Sequence, residues 1–498
     1  MNKLIKKAIF TGFISTVIVV SVFSEAAFAC TSVLVGKNAS ADGSVIISRN
    51  EDAQTAWAKR FVIHPTTVNE PNAIFKSNAN NFTYPLPATS LKYSATPDWD
   101  QSEGQYEENG INEKGVAVSA TESIDGNDKA TTIDPYNEDT GITEAAIPSV
   151  LLPKIETARE GILLLGDIIE KIGAGEGLGV SIADKNEAWY LECATGHHWV
   201  AVRIPDDSYF VVANQSRIEN VTLKDTVNYL GSKDLITFAQ KNGLYDPSKK
   251  SFNYSIAYGS TDDAINIQYN APRVWWGQHM LTPSELQEYG KVTYPLFMKP
   301  DNKIELKDVM AILRSHYDGT KYDPYLAVSP TEAPRAINVN RTMESHVIQL
   351  RSDMPTPIAN VQWLCFGVPE TSVYIPFYQG INQTPSIYRE GTDKYDSTSA
   401  YWTYRAIDAL TSVSHEKVAT EVTPVWQDFE ENEFDLQSIV DATALEYYKE
   451  SPEKCSDYLT SYSEWMSNLG VQKAHSIVSD LLTDLTNLQK FKASDNGK

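Results

Sequence analysis

Cys30-Thr31-Ser32-Val33-Leu34-Val35-Gly36-Lys37-Asn38-Ala39-Ser40-Ala41-Asp42-Gly43-Ser44-Val45-Ile46-Ile47-Ser48-Arg49-Asn50-Glu51-Asp52 contains two short runs suited to strands. Thr31 to Gly36 and Ser44 to Ser48 are both rich in β-branched residues, which pack well on a pleated surface. Lys37 to Gly43 between them is polar, and Asp42-Gly43 is a strong signal for a hairpin turn. Antiparallel pairing of 31–36 with 44–49 would return Arg49 to the neighbourhood of Cys30, with a carboxylate just beyond the strand end. That contact needs no long-range assumption.

Residues 1–29 read as an export leader. Lys3, Lys6 and Lys7 make a basic start, an apolar run extends from Ala8 to Phe23, and Ala27-Phe28-Ala29 has the form signal peptidase accepts. Ser24 and Glu25 interrupt the run too soon for a comfortable membrane span. The mature chain is expected to be secreted, extracellular or associated with the cell wall, with no stable membrane insertion. Cleavage after Ala29 would leave Cys30 first in the chain, its thiol beside a free α-amino group. That pair is a complete nucleophile and base, because an amine of unperturbed pKa about 8 takes the thiol proton directly or through one water. The thiolate attacks, and nearby positive charge raises its population. The competing reading is a lipid-anchored binding protein in which Cys30 carries no catalysis. Phe28 fits that signal poorly, and Thr31-Ser32-Val33 enters a strand where a lipoprotein has a polar tether.

Further along, Gly115 to Ala120 reads as a strand after the turn Asn112-Glu113-Lys114. Ile155, Ile162, Leu165, Ile169 and Ile172 space a helix that ends at Gly173. Four strand-like pieces follow at 179–183, 187–193, 199–204 and 209–213, expected as an antiparallel meander beside that helix. The fold class is α+β rather than a doubly wound sheet. A strand-rich stretch runs from His346 to Tyr378. Beyond about Glu430, the residues Ala474, Ile477, Val478, Leu481, Leu482, Leu485 and Leu488 mark one face of an amphipathic helix. The expected division is a main domain at 30–430 and a helical C-terminal extension at 431–498 packed on it.

The formal charge of −23 becomes −25 without a leader carrying three Lys and one Glu. Such an acidic chain argues against nucleic acid, which needs basic patches. Four cysteines in a chain of this length form no disulfide framework, and Cys193 and Cys365 read as small core residues. His197-His198 suggests a metal pair, but strand neighbours face opposite ways and no third ligand or HExxH accompanies them. Gly173, Gly175, Gly177 and Gly179 follow a helix rather than opening one, so they are not a phosphate cradle.

Cys30-Thr31-Ser32, Ala39 to Ser44 and Arg49-Asn50-Glu51-Asp52 together resemble the opening of the C69 dipeptidases, N-terminal-nucleophile hydrolases related to penicillin V acylase and the bile salt hydrolases. Gly110 to Gly115, Ser119 to Glu122, Gly196 to Asp207 and Ala213-Asn214-Gln215 continue the likeness. The resemblance implies a four-layer αββα sandwich, a cysteine nucleophile, no metal or organic cofactor, and small peptides as substrates. By position, Arg49 would stabilise the thiolate and Asp52 would orient the α-amino group. Asn214 would help form the oxyanion hole, and Arg273 matches a second, distal arginine. Where bile salt hydrolases carry a second active-site asparagine this chain has Glu122, whose carboxylate could bind the free amino group of a peptide. The reading is a secreted cysteine dipeptidase. An acylase cleaving a penicillin or N-acyl amino acid is the alternative with the same chemistry, and a homo-oligomer is left open.

Overall fold

Cys30 leads straight into strand Thr31–Val35, which pairs antiparallel with Val45–Asp52 in the register Ser32 to Arg49 and Thr31 to Asn50. Gly43 closes the turn at φ +79°, a left-handed backbone that costs a glycine little. The computed structural model describes residues 30–248, 251–260, 262–326 and 333–495. The leader read at 1–29 lies outside the described residues.

The hairpin is the middle of a six-stranded antiparallel sheet. Its order is Tyr209–Val212, Thr31–Val35, Val45–Asp52, Thr342–Leu350, Asn360–Phe366, Ile375–Tyr378. A second six-stranded sheet runs Tyr229–Gly231, Trp199–Arg203, Ala188–Cys193, Leu178–Ala183, Ala117–Glu122, Asn109–Ile111. Three cores separate four layers. Leu34, Val45, Ile47 and Ile348 of the first sheet meet Ala117, Tyr190, Val200 and Val202 of the second. Ile162, Leu165 and Ile169 of helix Ala158–Lys171 cover the outer face of the second sheet at Val180, Ile182 and Leu191. Val33, Ile46, Val347 and Trp363 of the first sheet pack under the helices Ala271–Leu281, Leu306–Arg314 and Ala400–Thr411 and the C-terminal helices. This is the αββα sandwich.

Alternation along Val45–Asp52 decides what the hairpin presents. Val45 and Ile47 point between the sheets, and Arg49 follows them, its guanidinium donating to Ala120 O of the second sheet. Ile46 points the other way into the helical core, as do Asn50, bonded to Leu313 O at 2.9 Å, and Asp52. Arg49 and Asp52, three apart, therefore work on opposite faces.

The structure redraws three expectations here. The fourth piece of the meander crosses over: Tyr209–Val212 pairs with Thr31–Val35, while Tyr229–Gly231 takes the place beside Trp199–Arg203. Tyr-Phe-Val-Val is buried throughout, whereas the place it leaves is half-exposed. The helix begins at Ala158 because the Thr157 side chain accepts from Glu160 N, so Ile155 packs ahead of it; Gly173 does end it, at φ +103°. His197 and His198 stand in a turn, not a strand, and both Nδ1 atoms reach one carboxylate, Asp134, at 2.8 and 2.7 Å. Burial alone would raise Asp134, but hydrogen bonds from His198 and His197 outweigh it and hold the carboxyl at about 2.

The tail is two helices, Thr423–Glu450 and Pro452–Asp495, and a division at 430/431 falls inside the first. Ala474, Ile477 and Leu481 are buried against the helical core, but Leu482 and Leu488 are exposed. The apolar stripe is narrower than the composition of this helix suggested. Among the described residues no helix is long and apolar enough to cross a membrane. Cys193 and Cys365 are fully buried, and burial pushes both thiols up, the second to about 12. Neither is a nucleophile at neutral pH.

Candidate active site

Cys30 lines a cavity of about 140 Å³ shared with Glu51, Asp52, Trp57, Tyr106, Glu108 and Glu144. Helix Ala271–Leu281 aims Arg273 at the start of the first strand. The guanidinium is fully buried and spreads five hydrogen bonds. Nη1 donates to Cys30 O at 2.7 Å and Thr31 Oγ1 at 2.9 Å; Nη2 donates to Asn214 Oδ1 and Asn270 Oδ1, both at 2.9 Å; Nε donates to Tyr269 O at 2.8 Å. One rigid planar fork thus ties the main chain of Cys30 to the carboxamide of Asn214. With Oδ1 facing the guanidinium, the NH2 end of Asn214 is turned away from it. Burial and then the neighbouring Arg335 push Arg273 well below the ordinary arginine range.

Arg49 approaches from the space between the sheets. It pairs with Glu108 and, at 3.2 Å, with Glu144. Burial opposes its charge, but the fields of Glu108, Cys30 and Glu144 outweigh burial and hold it above the usual range. Glu51, on the same face, pairs with buried Lys59 at 3.0 Å, and Lys59 also meets Asp98 at 2.9 Å. Carboxyl groups outnumber cations here, and burial, then Glu108, raises Glu51 and Glu144 above the carboxylate range. Tyr106 and Glu108 both take left-handed φ, 43° and 54°. Such backbone is uncommon for residues with a side chain and clusters at functional sites.

The remaining candidates take distinct places. Asp52 accepts from Arg335 Nη2 at 2.6 Å and Thr342 Oγ1 at 2.5 Å, so both carboxylate oxygens are engaged on the helix-facing side. Asn214 follows strand Tyr209–Val212, which pairs with the strand that Cys30 opens. Glu122 ends strand Ala117–Glu122, half-exposed. Its backbone N–H donates to Glu144 Oε2 at 2.9 Å, and carboxylates of Glu122, Glu144 and Glu176 gather within 4.8 Å of one another. Burial, then Glu122, pushes Glu176 up to about 8. Sequence reasoning missed Glu108, Glu144, Glu51, Lys59 and Tyr106. The acidic pair Glu107-Glu108 ahead of Asn109-Gly110 was the one visible signal, and it resembles any solvated charge pair.

The family model described as Peptidase family C69 matches residues 29–428. The chain belongs to peptidase family C69. It is 47% identical over 368 residues to a "Probable dipeptidase" of Salmonella dublin, covering 74% of this chain and 83% of that one. A "Probable dipeptidase" of Latilactobacillus sakei is 43% identical over 390 residues, 78% of this chain and 81% of its own. A "Dipeptidase" of Bifidobacterium longum is 35% identical over 412 residues, 77% of each. This C69 family member is therefore a peptidase.

Proposed function

We propose that the protein is an exported cysteine dipeptidase in which Cys30, freed by removal of residues 1–29, is the nucleophile and its own α-amino group the base. The observation that carries this reading is the Arg273 fork, which holds the Cys30 main chain and the Asn214 carboxamide in one frame beside the cavity. The amine takes the thiol proton, and the thiolate adds to the peptide carbonyl. The oxyanion forms against the Asn214 NH2, a kind of donor worth a few kcal/mol in the transition state. The leaving amine takes the proton back from the Cys30 ammonium, leaving a thioester on Sγ. Water then adds, activated by the same amine, and releases the acyl product.

Substrate choice follows from the carboxyl cluster at Glu144, which lines the cavity and has Glu122 and Glu176 gathered against it. An incoming ammonium that reaches this cluster favours the ionised forms of its carboxyl groups. A peptide with a free amino end supplies that ammonium; an acylase substrate does not. The names of the relatives agree with this choice.

The test is a dipeptide panel with the mature form, its N-terminus established by mass spectrometry. Free Cys30, turnover of dipeptides, loss to iodoacetamide and no turnover by Cys30→Ala are expected. A diacylglyceryl Cys30, or an alanine variant that retains activity, would remove Cys30 from the mechanism.

A further inference from the structure

Away from the Cys30 cavity, three elements of the helical side bring nitrogen and oxygen donors to one point. His316 follows helix Leu306–Arg314, Glu370 lies in the turn Pro369–Thr371 between strands Asn360–Phe366 and Ile375–Tyr378, and His415 precedes helix Thr423–Glu450. Their donor atoms all lie within 4.8 Å of one another. We propose that His316, Glu370 and His415 bind one divalent transition-metal ion, which clasps the helical layer to the first sheet.

The spacing suits an ion. His415 Nε2 is 2.8 Å from Glu370 Oε1, and His316 Nε2 is 3.4 Å from the same oxygen. Ligand atoms bound at about 2.0–2.2 Å in tetrahedral or octahedral geometry stand about 2.8–3.6 Å apart. Two imidazoles with carboxylate oxygen form a donor set for zinc, manganese or iron rather than for calcium or magnesium.

The surroundings resemble the outer shell of a metal site. A ligating histidine usually presents its second nitrogen to a carboxylate, and His316 Nδ1 has buried Asp323 Oδ1 at 3.0 Å. With Nδ1 turned to Asp323, Nε2 of this buried ring is the nitrogen left facing Glu370 and free to take an ion. Asn338 Nδ2 donates to Glu370 Oε2 at 3.2 Å, and Asn338 Oδ1 accepts from the Glu370 backbone N–H at 3.2 Å, fixing the central carboxylate. The residue after His316 points toward the active site: Tyr317, at φ 71°, donates from its hydroxyl to Arg335 O, and Arg335 holds Asp52. The ion takes no part in cleavage at Cys30; it would brace a loop on which the site rests.

The experiment uses the full mature chain as Cys30→Ser, because a thiol beside an amine is itself a chelator. After dialysis against EDTA, Zn²⁺ is titrated by calorimetry and melting is followed with and without it. One saturable site and a raised Tm are expected. His415→Gln and Glu370→Gln should each weaken binding at least tenfold and abolish the shift in Tm, and Asp323→Asn should weaken it by about 10- to 100-fold. His415 is partly exposed, so its variant keeps the test readable if Glu370→Gln fails to fold. No saturable binding of Zn²⁺ or Mn²⁺ below 1 mM, on the order of the weakest functional metal sites, would overturn the proposal. Binding unchanged in both ligand variants would overturn it as well, leaving an ion-paired histidine cluster.

Discussion

Arg273→Lys isolates what the planar fork does. The arginine makes five hydrogen bonds from three nitrogens, to Tyr269 O, Cys30 O, Thr31 Oγ1, Asn270 Oδ1 and Asn214 Oδ1. An ammonium has three donors on one atom and cannot span acceptors arranged around a plane. At least two of the bonds are lost. Each bond to a charged group contributes about 1.5–3 kcal/mol, and a buried acceptor left unpaired adds a desolvation cost. The expected destabilisation is therefore about 3 kcal/mol or more, read as a lowered Tm and denaturation midpoint. If Asn214 Oδ1 loses its anchor, the carboxamide no longer holds its NH2 toward the oxyanion. We then expect kcat to fall by about 10²–10³-fold with KM little changed, the signature of an interaction made in the transition state. Asn214→Ala should reproduce the kinetic loss without most of the instability. Arg273→Lys with wild-type kcat on dipeptides would refute the argument, as would a loss confined to KM.

Three further outcomes follow from the same geometry. A chain retaining one residue before Cys30 is predicted to be inactive, because an amide nitrogen cannot accept the thiol proton; full activity with the extra residue verified by mass would place the base elsewhere. Glu122→Gln is predicted to lower kcat/KM on dipeptides by about ten- to a thousandfold and to matter far less for N-acetylated substrates, whereas equal losses on both would assign Glu122 to the fold or the chemistry. Glu176 has a carboxyl pushed up to about 8 in the folded chain, first by burial and then by Glu122, against an unfolded value of about 4.3. Between those values the folded state holds the extra proton, so its stability falls as pH rises. Glu176→Gln should therefore gain stability over wild type progressively from about pH 4.3 to 8 and level off above, and a pH-independent difference in chemical denaturation would contradict the shift.

What could be read from the sequence was local. The hairpin from Thr31 to Asp52 needed only β-branched runs and Asp42-Gly43, and its register alone sets Arg49 beside Cys30. The strands at 178–183, 188–193 and 199–203 followed from alternation and turn residues. The fourth strand was harder, because its length and flanks suit either sheet and only burial on both faces chose between them. The C-terminal stripe misled at Leu482 and Leu488, because periodicity marks an apolar face without saying how much of it a neighbour covers.

The sequence by itself singled out Cys30 as the proposed nucleophile, the turn that brings an arginine to it, and the motifs that resemble family C69. Tertiary structure alone decided the frame around that cysteine. Arg273 reaches Cys30 from 243 residues away, Glu108 and Glu144 close on Arg49 from two other segments, and Asp52 turns to Arg335 on the far face of its strand. The physical reason is range. Propensity, alternation and turn chemistry act over a few residues, whereas the partners of a buried charge are chosen wherever packed layers bring a counter-charge within hydrogen-bond reach.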